Sequence, residues 1–182
     1  MRRIINSTYV SVDGVIQNPQ DWPSTPGDEE TSFKIQNDLL SACDAVLMGR
    51  HTYESFSSVW AGKSGGPYTD RINSMTKYVV SSTLPAATWE NTTIIRSDAI
   101  NEIKRLKEQP GGDIVEYGFG SLSYALMERG LLDELRLWVH PFFVGASSPD
   151  DLLSRKCPTT QLDLAGVQTL KSGVVILTYS FK

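Results

Sequence analysis

The sequence predicts an α/β protein, a three-layer α/β/α sandwich with a mixed, mainly parallel sheet and an antiparallel C-terminal hairpin. Two patterns predict it. Short runs rich in β-branched residues alternate with stretches of helical periodicity, the signature of right-handed βαβ units and a parallel sheet. The chain end departs from this: between Gln161 and Lys182 two strand-like runs flank Lys171-Ser172-Gly173, which reads as a hairpin added at one sheet edge. At 182 residues the chain is long enough for one domain with a substantial core, and a single domain over residues 1–182 is expected.

The elements follow in order. Arg3 to Val10 reads as the first strand. Asp13-Gly14 ends it and opens a loop to about Pro26, carrying Asn18-Pro19, Trp22-Pro23 and Pro26-Gly27. Loops this long in compact domains are usually functional or disordered. Thr25-Pro26-Gly27-Asp28 suits a helix start, with a Thr cap and Pro in the first turn. Phe33, Leu40 and Cys43 then give that helix a partly apolar face. Ala45 to Met48 is a second strand, and Thr52 to Ser58 a short helix. After the glycine-rich stretch 61–66 a further helix spans Tyr68 to Met75. Residues 77–82 and 92–96 read as strands three and four. Asp98 to Glu108 is an amphipathic helix with Ile100, Ile103 and Leu106 on one face, stopped by Pro110-Gly111-Gly112. A fifth strand at 113–118 leads to a helix from Ser121 to Arg129, closed by Gly130. A sixth strand is expected over 134–145.

Composition narrows the function classes. With 40% hydrophobic and 21% charged residues the chain reads as globular and soluble, and its net charge of −4 argues against nucleic-acid binding. Cys43 and Cys157 have no CxxC spacing, so a reduced, cytoplasmic protein is the default. Arg2 and Arg3 precede no apolar segment of signal-peptide type, and no run is long enough to span a bilayer. The histidines, His51 and His140, are too few and too separated to argue for a metal site. The expected partner is a small molecule.

Three strand ends carry chemistry, and in open α/β sheets ligands sit beyond the carboxyl ends of strands. The first is Gly49-Arg50-His51-Thr52. Glycine permits close approach, a helix N-terminus near Thr52 offers free N–H groups, and Arg50 offers a planar fork of donors suited to phosphate. The same residues also suit a plain strand–helix turn with a surface arginine. The second end, Ser81-Ser82-Thr83, has three hydroxyls that suit phosphate or ribose, or a turn. The third is Tyr117-Gly118-Phe119-Gly120-Ser121-Leu122. Its GxG lacks the third glycine of a dinucleotide fingerprint, yet permits a tight turn at a helix N-terminus. Helix–sheet packing explains such a turn equally well.

Taken in order, these segments resemble a known family. "VLMGRHTYESF" is similar to the Met-Gly-Arg-x-Thr-(Trp/Tyr)-Glu-Ser segment of dihydrofolate reductases. "TYVSVDGVI", "VVSSTL", "YGFGSL" and "GLLDELRLWVHPFFVG" look still more like a sister group. That group comprises the C-terminal reductase domain of bifunctional riboflavin-biosynthesis deaminase/reductases and its stand-alone bacterial relatives. The resemblance runs from Ile4 to about Gly145. It implies a dihydrofolate-reductase-like fold and NADPH as hydride donor. Carried over by motif, Gly49 and Thr52 line the pyrophosphate, with His51 between them in the same segment. Arg50 and the Ser81–Ser82 pair lie near the adenosine 2′-phosphate, and Thr83 belongs to the same cofactor-binding strand end. Gly118, Phe119, Gly120, Ser121 and Leu122 form the turn beneath the pyrophosphate and nicotinamide. Val15 and Ile16 belong to the mobile loop that closes over the nicotinamide. The apolar "LWVHPFFV" strand is the expected homodimer interface.

Proton delivery is less legible. Folate reductases carry a carboxylate on the helix before the Met-Gly-Arg strand, and an ungapped count from Gly49 puts Phe33 there. An extra helical turn would bring Glu29 or Glu30 to that place, although an acidic run at a helix start also simply complements the dipole. Asp13 is the other candidate acid, or a turn former with Gly14. Trp22 and Phe33 are the candidate substrate contacts. One departure matters: riboflavin-pathway relatives continue this strand into a glycine-rich turn that holds substrate phosphate. Here "HPFFVGASSPDD" brings Asp150 and Asp151, which oppose a phosphorylated substrate. The expectation is an NADPH-dependent reductase of a pyrimidine- or pterin-like heterocycle, resembling 5-amino-6-(5-phosphoribosylamino)uracil reductase. A true dihydrofolate reductase and a non-catalytic NADP(H)-binding module are the alternatives.

Overall fold

A computed structural model describes all residues, Met1–Lys182. Eight strands form one mixed sheet, flanked by five α-helices. The strands are β1 (Ile4–Ser11), β2 (Cys43–Gly49), β3 (Thr76–Val80), β4 (Thr92–Ile95), β5 (Asp113–Tyr117), β6 (Glu134–His140), β7 (Leu162–Thr169) and β8 (Val175–Phe181). Their order across the sheet is β4-β3-β2-β5-β1-β6-β8-β7. The helices are α1 (Glu29–Ala42), α2 (Arg50–Trp60), α3 (Pro67–Ser74), α4 (Ala99–Glu108) and α5 (Ser121–Glu128). No helix is long and apolar enough to cross a membrane. The α/β class and the C-terminal hairpin expected from the sequence are both present.

The chain divides into two compact units, Met1–Ile4 with Phe33–Tyr117, and Ile5–Ser32 with Gly118–Lys182. In the first, β2 lies between β3 and β5 and runs parallel to both. Ala45, Val46, Leu47 and Met48 are all at most 2% exposed. Burial on both faces explains why this run reads as continuously apolar rather than alternating. The N-terminal arginines serve this unit. Arg2 donates from Nε to Gly112 O (2.6 Å) and pairs with Asp44, which also accepts from Gly112 N (2.8 Å). Arg3 pairs with Asp113 at 2.9 Å. Together these ties hold the chain start against the entries to β2 and β5.

Lys77, on β3, is fully buried. Its ammonium donates to the carbonyls of Asn73 (2.9 Å), Met75 (2.8 Å) and Glu90 (3.1 Å) and lies 4.7 Å over the Trp89 ring. These carbonyls belong to the end of α3, the lead into β3 and the lead into β4, so one side chain fixes three connections.

In the second unit β1 runs parallel to β6, while β8 runs antiparallel to β6 and to β7. The hairpin turn is tied back to the long loop: Ser172 N donates to Asp28 Oδ2 at 2.7 Å. That contact corrects the expected helix start. Thr25 does not cap α1; Gly27 takes a positive φ of 107°, the helix begins at Glu29, and the first-turn bond runs from Ser32 N to Asp28 O. The sixth strand is likewise shorter than the apolar run suggested, ending at His140. Pro141 has no N–H to continue a ladder, and the Val144 and Gly145 amides donate instead to Asp13.

Burial holds the Lys77 pKa down to about 8, with Glu90 opposing. Lys77→Met removes the donor that three carbonyls share and is expected to cost about 2 kcal/mol in urea unfolding. The folded protein binds fewer protons than the unfolded chain between pH 8 and about 10.4, so the lysine's own contribution to stability rises across that window. Unfolding the wild type and the variant at both ends of the window checks the sign.

Candidate functional site

β2 delivers the first candidate segment. Gly49 pairs with Val80 at the carboxyl ends of β2 and β3, and α2 starts at the next residue. Gly49 is extended at φ −78°, ψ 169°, provides no side-chain cap, and has open space where a Cβ would stand. The first turn of α2 contains no acidic residue. Its N–H groups and the positive end of its dipole are therefore left for a ligand or water.

Arg50 is fixed at this end from two sides. Its Nε donates to Glu54 Oε1 at 2.7 Å, and Nη1 donates to Thr83 Oγ1 at 2.9 Å. The structure thus brings Arg50 and the Ser81–Thr83 segment together. The three hydroxyls are not equivalent, however. Ser81 Oγ is buried and accepts from Thr83 N (3.2 Å) and Leu84 N (2.9 Å), so it builds the turn. Ser82 and Thr83 are exposed beside the guanidinium, as is His51, while Thr52 is half-buried. Below them Tyr53 is buried and its hydroxyl accepts from Thr88 N and Trp89 N at 2.9 and 3.0 Å.

The third segment, Gly118 to Leu122, is set by the second unit. Gly118 has φ +79°, a region only glycine enters freely. Its carbonyl accepts from Asn6 Nδ2 at 2.8 Å. Phe119 turns inward, packing edge-on against Tyr124 at 5.5 Å in a cluster with Leu135. Its ring is therefore a core anchor, and Ser121 and Leu122 open α5. At Gly120 a Cβ would stand 2.7 Å from Arg155 Nη2. The glycine is what lets that guanidinium lie across the start of α5, where Tyr124 Oη donates to Leu153 O at 2.8 Å.

The candidate acids are occupied locally. Asp13 accepts from Ser11 Oγ, from Val144 N at 3.2 Å and from Gly145 N at 2.8 Å. The Ser11 hydroxyl first, then the Gly145 amide, hold its carboxyl below the usual aspartate value. That geometry makes Asp13 a loop anchor and a poor proton donor. Glu29 is exposed and accepts from Gly27 N through both oxygens, at 3.3 and 3.2 Å. Phe33 is 54% exposed on α1.

The loop after β1 is folded on itself. Val15 is buried, bridges to Leu152, and its amide donates to Ser11 Oγ at 2.9 Å. Ile16 N donates to Asp151 O at 2.9 Å and its side chain packs on the Phe119 cluster. In this arrangement the Val15 amide is used by Ser11 and the Ile16 amide by Asp151, so neither is free for a cofactor. Trp22 donates from Nε1 to Gln17 O at 3.0 Å and lines an open cavity of about 380 Å³ with Asp21, Gly145 and Asp151.

Sequence reasoning passed over Arg155, Asn6 and the surroundings of His140. Arg155 sits in an acidic, loop-like stretch, where nothing local marks it. Asn6 had a visible signal: Asn6, Ser7 and Thr8 place consecutive polar residues within a strand pattern, and all three are buried.

Comparison with known proteins follows from this geometry. A family model described as the RibD C-terminal domain matches residues 2–176. The chain belongs to the RibD C-terminal domain family. Protein YyaP of Bacillus subtilis (strain 168) is 32% identical over 187 residues, covering 98% of this chain and 94% of the relative. A candidate riboflavin biosynthesis protein from Shewanella sp. PV-4 superposes with a TM-score of 0.69 at 17% identity, covering 99% of both chains. A pyrimidine reductase-like protein from Corynebacterium diphtheriae gives 0.65 at 14% identity, covering all of this chain and 92% of that one. The deaminase/5-amino-6-(5-phosphoribosylamino)uracil reductase of Thermotoga maritima gives 0.66 at 14% identity; all of this chain matches 57% of that one. At these identities the structural likenesses establish a fold shared with RibD C-terminal domains.

Asp13→Asn is expected to release the loop at the end of β6, raising hydrogen exchange at the Val144 and Gly145 amides at least about tenfold. Because the carboxyl pKa is lowered, the wild-type tie should persist at pH about 4, where a free aspartate is half protonated. It should fail only below that, as the folded-state pKa is crossed.

Proposed function

We propose that this protein is an NADPH-dependent reductase that delivers hydride to a flat, uncharged nitrogen heterocycle of pyrimidine or pterin type. The observation that carries the reading is the uncapped N-terminus of α2, with the Arg50 guanidinium fixed beside it by Glu54 and Thr83. Backbone amides there suit a pyrophosphate, and a planar guanidinium flanked by exposed hydroxyls suits the additional 2′-phosphate that separates NADPH from NADH. The open space above Gly49 fits close approach of such a group.

NADPH, when bound, supplies the hydride; the residues of the chain do the rest. The first-turn amides of α2 hold negative charge. Arg50, Ser82 and Thr83 select the phosphorylated ribose. Trp22 offers a flat apolar wall for the acceptor ring. Asp21 and Asp151 line the cavity beside Trp22 and disfavour a phosphorylated substrate there. Membership of the RibD C-terminal domain family, and relatives described as reductases of phosphoribosylated or pyrimidine compounds, support the reaction class. The substrate is proposed to differ by lacking the phosphate. A homodimeric, cytoplasmic protein is part of the same reading.

A second reading has its own observation. Asp13 is tied to its loop and Glu29 to its own helix start, so neither carboxylate is poised to deliver a proton. A module that binds NADP(H) without turnover accommodates that.

Arg50→Ala is expected to weaken NADPH binding roughly 10- to 100-fold while changing NADH binding little, read by nicotinamide fluorescence. Equal losses for both cofactors would remove Arg50 as the reader of the 2′-phosphate. NADPH oxidation across uracil, pterin and dihydrofolate substrates tests turnover. Consumption of dihydrofolate alone identifies a dihydrofolate reductase, and tight binding with no oxidation favours the binding module.

A further inference from the structure

β1 and β6 are parallel, and their last residues, Ser11 and His140, are paired at the carboxyl edge of the sheet. His140 is unusual for its chemistry. Both ring nitrogens are buried and neither has a hydrogen-bond partner. A neutral imidazole carries one donor and one acceptor. Leaving both unmet and shielded from water costs about 1–3 kcal/mol for each. Structures rarely retain such a cost without a use for the group. On the same pair of strands Trp138 Nε1 donates to Ser7 Oγ at 3.2 Å, while the Thr8 hydroxyl on β1 is also buried without a partner.

The surroundings are aromatic on three sides. Tyr9 lies at 4.8 Å between ring centroids, Trp22 at 5.6 Å and Phe142 at 5.6 Å. Burial also lowers the imidazole pKa, which keeps the ring neutral near pH 7. Two of the walls are fixed, since Tyr9 belongs to β1 and Phe142 accepts from Val12 N at 3.0 Å through its backbone carbonyl. The third is not. Trp22 lies outside any strand or helix and is half-buried. Its backbone N–H donates to Pro19 O at 3.4 Å, and its side chain is held by the single bond to Gln17 O and by edge-on contacts to His140 and Phe142. The same indole lines the open cavity of about 380 Å³. Trp22 is thus a wall shared by His140 and the cavity, and it is the wall attached most weakly.

We infer that His140 reads the acceptor substrate: a flat, uncharged nitrogen heterocycle entering from the cavity turns the Trp22 indole aside, stacks against the aromatic walls and hydrogen-bonds one imidazole nitrogen. The inference rests on the reductase reading for the identity of that ligand as substrate. Its chemistry is set by the site itself. The aromatic walls select a flat ring, the orphaned imidazole requires a donor or acceptor on the ring edge, and the carboxylates of Asp21 and Asp151 at the cavity disfavour an anion. His140 is assigned to binding and orientation, with no proton transfer attributed to it.

The chain has two histidines, and His51 is exposed on α2, so imidazole NMR reports His140 against an internal reference. 5-Aminouracil and pterin are the probes, added to the full chain. The inference expects saturable shifts of the His140 ring resonances with either probe while His51 stays in place. It also expects His140→Ala to weaken that probe about tenfold, with His140→Asn, which keeps a donor and an acceptor, recovering most of the loss. Tryptophan fluorescence of each variant checks that the aromatic cluster is intact. Either of two binding results overturns it: His140 resonances unmoved by both probes at any concentration, or equal binding by wild type and both variants. The reductase reading fails separately. If His140 shifts as expected but NADPH is not oxidised with any substrate, the binding site stands and the reaction does not. If NADPH oxidation proceeds with unchanged kcat and KM in His140→Ala, the reaction stands and the role of His140 does not.

Discussion

The double burial of β2 is the constraint on which the candidate site depends. Because Val46, Leu47 and Met48 lose water on both faces, a one-residue slip has no exposed face to exploit, and the register against β3 and β5 is fixed by packing along the whole strand. That register decides where the strand stops. Gly49 comes level with Val80, so the helix starting at Arg50 and the turn starting at Ser81 leave the sheet side by side. The bond from Arg50 to Thr83 follows from this, although 33 positions separate them in the chain. Arg50 is thereby oriented before any ligand arrives, at the modest energy of a partly exposed pair with Glu54.

The second unit places polar chemistry inside a strand. β1 buries Asn6, Ser7, Thr8 and Ser11, residues that ordinarily weaken a core. Asn6 and Ser7 meet partners on opposite sides of the strand: Asn6 supports the Gly118 carbonyl, and Ser7 accepts from Trp138. Ser11 ties Asp13 and Val15 into the following loop. β1 therefore acts less as hydrophobic filling than as a polar spine that positions a glycine turn, an aromatic cluster and a loop. His140 at the neighbouring strand end has both of its ring nitrogens left without a partner.

The loop between β1 and α1 shows how one carboxylate can settle a local structure. Asp13 draws in the amides of Val144 and Gly145, which pulls the chain after Pro141 out of the sheet and over the loop. Asp28 does the same at the other end by accepting from Ser172 in the hairpin turn. Asp13, which reads as a candidate acid or turn former, and Asp28, which reads as part of a helix start, thus link a loop to distant parts of the chain. The Trp22 side chain, between them, keeps only one hydrogen bond and its ring contacts. The loop is firmly anchored at its ends and lightly held at its middle, which is where a ligand-admitting movement costs least.

The sequence by itself determined the order of strands and helices, the C-terminal hairpin and the family resemblance. These are properties of local periodicity and of turn chemistry, which neighbouring residues carry. It did not determine where β6 ends, where α1 begins, or what Asp13 does. Each of those turns on a hydrogen bond to a residue over a hundred positions away, as between Asp13 and Gly145 or Asp28 and Ser172. Tertiary structure alone decided that Arg155 lies across Gly120, and that His140 is walled in by Tyr9, Trp22 and Phe142. A polar atom is orphaned or satisfied only by what folding brings within about 3 Å of it, and no local pattern encodes that distance.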